Sequence, residues 1–388
     1  MRYGYFDDSA KEYVIERPDT PRSWTNYLGD TKYGAIITNN AGGYSFYHSA
    51  VQGRFVRFGF NNVPMDQPGR YVYLRDQESG DYWSTTWQPV AKPLEHYASV
   101  CRHGTAYTRI TSSYSDVESD TTYFVPVAAE FEVWLLKLSN KSQRRRTLRL
   151  FTYLEYSSEW HVYHDTMNLQ YSQYIVRTEW QGDMLWQSSL ANLPEDARHF
   201  ENRDQGRHTF FSVTGAERVG FDTRRDVFLG AYGSYHNPAV VVSGEPTGSL
   251  AHGDNACATV CSEVVLEPGA GREIVILLGV GKPDVAGQKA KARIPSAAAA
   301  KNALEELKQH WHSQLGRVKV ESPDPEFNSM INVWNAYNAL ITYSWSRAAS
   351  LVYAGERDGL GYRDTVQDIL GVLPAIADEA VKRLELMI

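Results

Sequence analysis

The stretch FEVWLLKLSNKSQRRRTLRLFTYL, residues 131–154, decides the fold class of this chain. Residues 131–138 are rich in strand formers, and residues 147–154 alternate between two faces. One face carries Leu148, Leu150, Thr152 and Leu154, and the other carries Arg149, Phe151 and Tyr153. A period of two is that of a β-strand. The stretch therefore predicts two strands separated by the polar run of residues 140–146.

Strand signals of the same kind extend on both sides, through roughly the first 280 residues. Residues 264–266 and 274–280 flank EPGAGRE, a segment whose proline and glycines are typical of a turn, and we predict that they form a hairpin. Many short strands with turn signals between them indicate an all-β sandwich.

The period changes to that of a helix near residue 284. Residues 283–296 are mostly small and polar and indicate a linker, and Ser296 can cap a helix that ends before Gly316. The apolar stripe of this helix is Leu304, Leu307, Trp311 and Leu315. Three further helices are predicted, beginning near Asp324, near Asp364 and near Asp378.

These signals divide the chain into three predicted parts. They are a β-sandwich domain over residues 1–282, a helical linker over residues 283–318, and the first helices of a larger helical domain over residues 319–388. The last predicted helix runs to Ile388 without a cap, and three helices are few for an independent helical domain. We expect that this domain is cut off; the alternative is a terminal helix that docks back on the sandwich.

Composition excludes several function classes. The 388 residues include 39 Lys and Arg against 46 Asp and Glu, a net charge of -7, which argues against a nucleic-acid or anionic-membrane partner. No run of 18 apolar residues and no apolar leader at the amino terminus are present, so we expect no membrane span and a cytoplasmic location.

The cysteines and aromatic residues allow only weak inferences. Cys101, Cys257 and Cys261 are expected to be small buried side chains, although the spacing of the last two leaves a metal or redox role open. Aromatic residues make up 13% of the chain. Most should belong to the cores of strands, and flat aromatic faces also suit a carbohydrate ligand.

Several sequence blocks resemble those of one enzyme family. In order, they are MRYGYF (1–6), RPDTP (17–21), WTNYLG (24–29), AGGYSFY (41–47), YWS (82–84), WQP (87–89), CRHG (101–104), FVP (124–126), SRAAS (346–350) and GLGYRD (359–364). The chain is similar throughout to the cellobiose and chitobiose phosphorylases, members of glycoside hydrolase family ninety-four.

The resemblance implies both an architecture and a reaction. Members have an amino-terminal β-sandwich, a helical linker and an (α/α)6 barrel, so the fold class expected here is an all-β sandwich, a helical linker and the truncated start of that barrel. The implied reaction is inverting phosphorolysis of a β-linked disaccharide to an α-sugar 1-phosphate and a free sugar. Phosphate is already an anionic nucleophile, so one acid suffices where an inverting hydrolase needs two carboxylates.

The resemblance also assigns substrate-binding residues. Arg347 would bind phosphate, for which a planar guanidinium is suited. Arg357, Arg363 and Asp364 would hold the donor sugar, with the nearby glycines letting the backbone approach. Without the resemblance, the residues favour a structural interpretation, in which Arg347 pairs with a carboxylate or packs its stem at a helix end and residues 357–364 are a glycine-rich turn in which Asp364 caps a helix.

No catalytic residue is assigned within this chain. The family's general acid, an Asp in an Asp-Trp-Asn-Asp-like motif, is expected beyond residue 388, and the motif is absent here. The chain alone is therefore predicted to be inactive. Family members use inorganic phosphate as co-substrate, need no cofactor or metal, and form homodimers. Residues 155–170 are a candidate for the dimer contact or, alternatively, a plain surface loop with two histidines.

Two other functions are weighed against phosphorolysis. An inverting glycoside hydrolase would need a second carboxylate and no phosphate pocket, and activity without phosphate would identify it. A non-catalytic carbohydrate-binding or dimerisation module would bind sugar without turnover. The residues do not decide among cellobiose-, chitobiose- and laminaribiose-type substrates.

Overall fold

The computed structural model describes residues 2–59, 66–167, 173–189, 207–345, 350–351 and 361–388. Strands dominate up to Val280 and helices follow, so the predicted order of a β-sandwich and then helices is confirmed. No helix in these ranges is long and apolar enough to cross a membrane. The domain boundaries at residues 282 and 318 stay predictions.

The strands are mostly short, as the frequent turn signals predict. In chain order they are β1 Gly4–Asp7, β2 Glu12–Ile15, β3 Thr25–Gly29, β4 Tyr33–Thr38, β5 Gly43–Tyr47, β6 Tyr71–Asp76, β7 Tyr82–Ser84, β8 Ala98–His103, β9 Tyr107–Tyr114, β10 Val117–Phe124, β11 Phe131–Asn140, β12 Arg146–Tyr153, β13 Val176–Gln181, β14 Met184–Ser189, β15 Arg207–Thr214, β16 Glu217–Arg224, β17 Ala256–Leu266 and β18 Gly271–Val280.

The strands form three antiparallel sheets. A ten-stranded sheet has the order β1-β2-β8-β9-β10-β11-β18-β15-β14-β13, and a five-stranded sheet has the order β16-β17-β12-β6-β7. The third, β3-β4-β5, has three strands and is called the small sheet below. Leu148 and Leu150 on β12 and Leu136 and Leu138 on β11 are all fully buried in one core, which is what alternating apolar faces produce.

The predicted hairpin over residues 264–280 is wrong. Both strands exist, but β17 pairs with β12 in the five-stranded sheet, while β18 pairs with β11 in the ten-stranded sheet. The intervening turn therefore crosses between sheets. Asn140, fully buried at the end of β11, fixes it by donating from Nδ2 to the carbonyls of Leu266 and Glu267 at 3.0 and 3.2 Å. Turn residues mark a change of direction but do not specify the partner strand.

Helices cover the five-stranded sheet and continue the chain after it. They are α1 Val162–Met167, α2 Arg225–Leu229, α3 Ala239–Ser243, α4 Gln288–Arg293, α5 Ala297–Leu315, α6 Pro325–Ser329, α7 Asn335–Trp345 and α8 Tyr362–Met387, with a 3-10 turn at Gln173–Ile175 and π-helical turns at Pro283–Gly287 and Met330–Trp334. Phe228 on α2 stacks on Tyr153 of β12 at 4.6 Å, in a second core on the outer face of this sheet.

The helix signals are largely confirmed. Ser296 caps α5 by accepting from the amide of Ala299 at 3.3 Å, and Gly316 ends that helix. Asp324 caps α6 in the same way through the amide of Phe327 at 3.0 Å. The two helices predicted near Asp364 and Asp378 are confirmed: α8 consists of two helical segments that meet at a kink, where Ile376 is not helical (φ -139°, ψ 51°), two residues after Pro374.

Candidate functional site

The structure tests the geometry of only part of the predicted site. Arg347 and Arg357 lie outside the described residues, and the structure says nothing about them. Arg363 and Asp364 are described and lie together in the first turn of α8. The substrate-binding roles of all four residues stay predictions.

Arg363 and Asp364 form an open pair at the amino-terminal end of α8. The Arg363 side chain is 83% exposed, and Nη2 lies 3.3 Å from Oδ1 of Asp364. The alternative interpretation, in which Asp364 caps the helix, does not hold. The cap position is taken by Gly361, which has no side chain with which to cap. The amide of Thr365 donates to the carbonyl of Gly361 at 2.8 Å instead. A carboxylate in the first turn of a helix is stabilised as an anion by the helix dipole.

The residue before SRAAS is anchored to the small sheet. Trp345, the last residue of α7, is 6% exposed and stacks on Tyr27 of β3 with ring centroids 5.0 Å apart and planes 23° apart. Its indole N–H donates to the carbonyl of Asp30 at 3.2 Å. The stack and the hydrogen bond together fix where α7 ends on the sandwich.

The last residue of SRAAS is anchored to the same sheet. Tyr44 on β5 is fully buried, and its hydroxyl donates to the carbonyl of Ser350 at 2.9 Å. Arg54, which is 3% exposed, places its guanidinium 3.8 Å from the centroid of the Tyr44 ring. Burial raises the pKa of Tyr44 despite the opposing effect of Arg54, so the phenol stays protonated and keeps its donor role. Trp345, just before the motif, and Ser350, its last residue, therefore contact the same small sheet.

A buried tyrosine reinforces this junction. The hydroxyl of Tyr337 on α7 donates to Oδ1 of Asn26 on β3 at 2.9 Å and accepts from the amide of Ala106 at 3.0 Å. Nδ2 of Asn26 in turn donates to the carbonyl of Gly104 at 2.7 Å. Sequence analysis missed the contacts of α7 with the sandwich, because the residues that meet are more than 200 positions apart and nothing local marks their partners.

The segment of residues 155–170 is more than a surface loop over its described part. Asp165 on α1 is 8% exposed and receives two hydrogen bonds of 2.8 Å from Arg57. Burial opposes the charge on Arg57, but Asp165 and Glu155 outweigh it and raise the pKa of the guanidinium. Glu155 also accepts from the hydroxyls of Tyr153 and Tyr235 at 2.7 Å each.

The described residues offer no metal or thiol chemistry. No group of three or more His, Cys, Asp or Glu side chains suited to a metal ion occurs in the described ranges. His161 and His164 stack at 4.4 Å, and His164 contacts Glu159. All three cysteines are buried and free, and burial raises the pKa of Cys261 to about 12, which leaves its thiol protonated and unreactive.

Two models of protein families match the chain. The model described as glycosyl hydrolase 94, supersandwich domain, matches residues 11–313. The model described as glycosyl hydrolase 94 superfamily, catalytic domain, matches residues 310–388. Together they span almost the whole chain.

Known proteins give the same picture. The chain is 38% identical over 372 residues to the N,N'-diacetylchitobiose phosphorylase of Vibrio furnissii, covering 96% of this chain and 45% of the relative. It is 36% identical to the Vibrio proteolyticus protein of the same name, covering 99% and 46%, and 24% identical to the solabiose phosphorylase of Paenibacillus borealis, covering 98% and 47%. The chain spans about half the length of these relatives.

A solved structure shares the fold. The chain superimposes on a putative kojibiose phosphorylase from the human microbiome with a TM-score of 0.51, covering 95% of this chain and 49% of the other. The two are 9% identical, so the match bears on fold alone.

Proposed function

Since the chain belongs to the glycosyl hydrolase 94 family, we propose that it supplies the sandwich and the first helices of an enzyme for inverting phosphorolysis of a β-linked disaccharide. Phosphate attacks the anomeric carbon, the glycosidic bond breaks, and the departing oxygen takes a proton. The products are an α-sugar 1-phosphate and a free sugar.

The relatives favour one substrate class. The chain is 38% and 36% identical to the two N,N'-diacetylchitobiose phosphorylases but 23% identical to the cellobionic acid phosphorylase of Neurospora crassa. We therefore place N,N'-diacetylchitobiose ahead of cellobiose and laminaribiose as the disaccharide.

One observation carries the proposal. Trp345 and Ser350, which stand on either side of Arg347 in the sequence, both contact the small sheet, Trp345 through the partly buried Tyr27 and Ser350 through the buried Tyr44. An arginine that binds phosphate needs fixed flanks, because the fork of the guanidinium gains from two parallel hydrogen bonds only if it is oriented in advance. The exposed Arg363 side chain and the partly buried Asp364 side chain can then meet sugar hydroxyls as donor and acceptor.

The acid must come from elsewhere. The printed sequence lacks the expected Asp-Trp-Asn-Asp-like motif, so we propose that this chain binds and orients but does not itself protonate the leaving group. We propose further that no cofactor or metal takes part and that phosphate is the co-substrate. The protein is proposed to be cytoplasmic, to act as a homodimer and to have no nucleic-acid partner; light scattering after gel filtration tests the dimer.

A complementation assay tests the function. The chain alone, given N,N'-diacetylchitobiose and phosphate, should release no N-acetylglucosamine 1-phosphate. Mixed with a separately expressed carboxyl-terminal half of the Vibrio furnissii relative, it should release that product only when phosphate is present. Cleavage without phosphate would instead identify a hydrolase, and sugar binding with no cleavage in the mixture would identify a non-catalytic module.

Variants of this chain sharpen the assay. Arg363→Ala should reduce the rate of the mixture by about a hundredfold, because a charged hydrogen bond to the donor sugar is lost. Arg144→Ala is the matched control, since Arg144 is an exposed arginine of the sandwich whose side chain pairs with Glu78 at 3.1 Å. Equal rates for the two variants contradict the assignment of Arg363.

A further inference from the structure

A polar cavity on the sandwich lies where β4 turns into β5. Its volume is about 200 Å³, several times the ~30 Å³ that one molecule of liquid water occupies. Its walls include Asp19, Arg22, Asn40, Asp66, Trp87 and Gln88. We call it the turn cavity. It has room for one sugar ring and shares no residue with the predicted Arg363–Asp364 clamp.

The walls of the turn cavity are fixed by hydrogen bonds within the protein. The carbonyl of Pro18 accepts from the side-chain amides of both Asn39 and Asn40 at 3.1 Å. On the opposite side, Nε2 of Gln67 donates to Oε1 of Gln88 at 3.1 Å. A ligand would therefore meet a surface that is already ordered, which lowers the entropy cost of binding.

The turn cavity has more hydrogen-bond acceptors than the protein satisfies. Asp66 is 3% exposed and its Oδ2 accepts from the hydroxyl of Thr38 at 2.7 Å, yet a carboxyl group has room for about four hydrogen bonds. Asn40 is 7% exposed, and its Oδ1 is buried without a hydrogen-bond partner within the described ranges. Neighbouring hydroxyl groups of a sugar are donors that fit such acceptors.

The charges around the turn cavity favour a neutral ligand. Both carboxylate oxygens of Asp19 accept hydrogen bonds of 2.5 Å from the guanidinium of Arg17. The negative charge of Asp19 is therefore already compensated. Burial raises the pKa of Asp66, which weakens its pull on a cation. Arg22 adds the opposite sign. A cation therefore gains little electrostatic attraction in the turn cavity, whereas a neutral polyhydroxyl ring does not depend on such attraction.

One wall is aromatic. Trp87 is partly buried, and its indole N–H is already donated to the carbonyl of Lys92 at 2.9 Å. What Trp87 offers a ligand is therefore the carbon surface of its ring. An aromatic surface beside fixed acceptors is the combination that suits a sugar, whose C–H bonds need an apolar surface and whose hydroxyls need polar partners.

We propose that the turn cavity is a saccharide-binding site of the sandwich that takes one neutral sugar ring of a β-linked disaccharide. The site binds sugar without cleaving it and holds it by contacts to Asp66, Asn40 and Trp87. The inference rests on the proposed function only for the choice of saccharides to be tried.

The test uses the 388-residue chain labelled with ¹⁵N at its 10 tryptophans, titrated with N,N'-diacetylchitobiose and with cellobiose. One indole resonance, assigned to Trp87 by its loss in Trp87→Phe, should shift in a saturable way at concentrations on the order of millimolar. Asp66→Asn, which keeps an acceptor for Thr38, should weaken binding about tenfold. Trp180→Phe is the control, because Trp180 is partly exposed and stacks on Phe221 away from the turn cavity.

Each outcome separates this site from the predicted clamp. Binding that survives Arg363→Ala and weakens in Asp66→Asn supports the turn cavity. Binding that is lost in Arg363→Ala and unchanged in Asp66→Asn overturns it and leaves phosphorolysis standing. Absence of any saturable shift of the Trp87 resonance overturns it as well. A mixture that fails to phosphorolyse, while the Trp87 shift persists, contradicts only the proposed function.

Discussion

The sandwich and the helices after residue 318, called the helical end below, differ in how completely they cover their side chains. The sandwich buries whole ion pairs: Arg70 and Glu132 meet at 2.6 Å with side chains 0% and 1% exposed. In the helical end, Leu370 is 66% exposed and Leu386 is 77% exposed. An apolar cavity of about 330 Å³ also lies between α5, α7 and α8.

The difference shows where the stability of the molecule lies. Large exposed apolar side chains stabilise nothing unless they are covered, so within the described structure the helical end depends on its contacts with the sandwich. Trp345 and Tyr337 make such contacts with the small sheet and Trp334 makes one with Phe6 of β1, while the sandwich is held by its own core. We expect unfolding in two steps, the helical end first.

The largest expected effect is in the sandwich. Glu132→Ala leaves the buried Arg70 without its carboxylate partner and removes the acceptor of Trp134 Nε1 and Ser45 Oγ, at 2.7 Å each. We expect the sandwich transition to lose about 4 kcal/mol. Urea denaturation followed by circular dichroism measures it, with Glu78→Ala, whose carboxylate is 73% exposed, as the control. An equal loss in both variants contradicts the comparison.

The next effect concerns the junction. Trp345→Ala deletes the ring stacked on Tyr27, and we expect the helical transition to lose about 3 kcal/mol. The sandwich transition should keep its midpoint, which hydrogen exchange of β11 and β18 amides can verify. A matching drop in those amides would mean that the two regions unfold as one.

The pH dependence distinguishes the regions further. His103 lies in the sandwich, where burial lowers its pKa from 6.5 to about 4, and it contacts Thr108 and the carbonyl of Trp24. Between pH 6.5 and about pH 4, the imidazole of His103 therefore binds a proton in the unfolded chain but stays neutral in the folded chain. Its contribution to stability is complete well above pH 6.5 and is lost as pH falls towards 4.

The expected size of this effect is about 2 kcal/mol between about pH 6.5 and about pH 5. Denaturation across this window should show the loss in the sandwich transition. His103→Gln, which does not titrate there, should be less stable at neutral pH but should lose less on acidification. Identical slopes for the two proteins would show that other groups set the dependence.

The smallest effect is that of a single hydroxyl. Tyr337→Phe removes the acceptor of the Ala106 amide and the donor to Asn26, and we expect a loss of about 1.5 kcal/mol in the helical transition. Tyr232→Phe is the control, because Tyr232 is fully exposed and should have no effect. Equal stabilities of the two variants would show that the Tyr337 hydroxyl does not stabilise the contact between α7 and the sandwich.

Local pattern was sufficient to predict the elements but not their partners. The two-residue repeat of apolar side chains identified β12, and the helical repeat identified α5, because burial of one face imposes such repeats. The same reasoning joined β17 and β18 into a hairpin, because it had no information on the buried Asn140 that fixes the crossing. It did locate the break in α8, because Pro374 disrupts a helix locally and two helical segments do meet at Ile376.

The candidate site was predicted from resemblance and only partly reached by geometry. Arg363 and Asp364 do lie side by side, but family likeness and not periodicity singled them out. The supports of the neighbouring motif, Tyr44 and Arg54, were not foreseen, because Ser350 is 306 positions from Tyr44. Contacts between residues so far apart in the sequence depend on the whole fold, and they cannot be inferred from a single sequence.

The crossing at Asn140 has a consequence for how the chain acquires its structure. Consecutive strands lie in different large sheets, β11 apart from β12 and β17 apart from β18, and the pairings of β11 with β18 and of β12 with β17 each join residues more than 100 positions apart. Such distant pairing must overcome a large loop-closure entropy, which slows folding. During synthesis, β11 and β12 can pair early with β10 and β6, but their other edges stay unpaired until the chain up to Val280 has left the ribosome. Nascent chains stalled before that point should be the ones that chaperones retain.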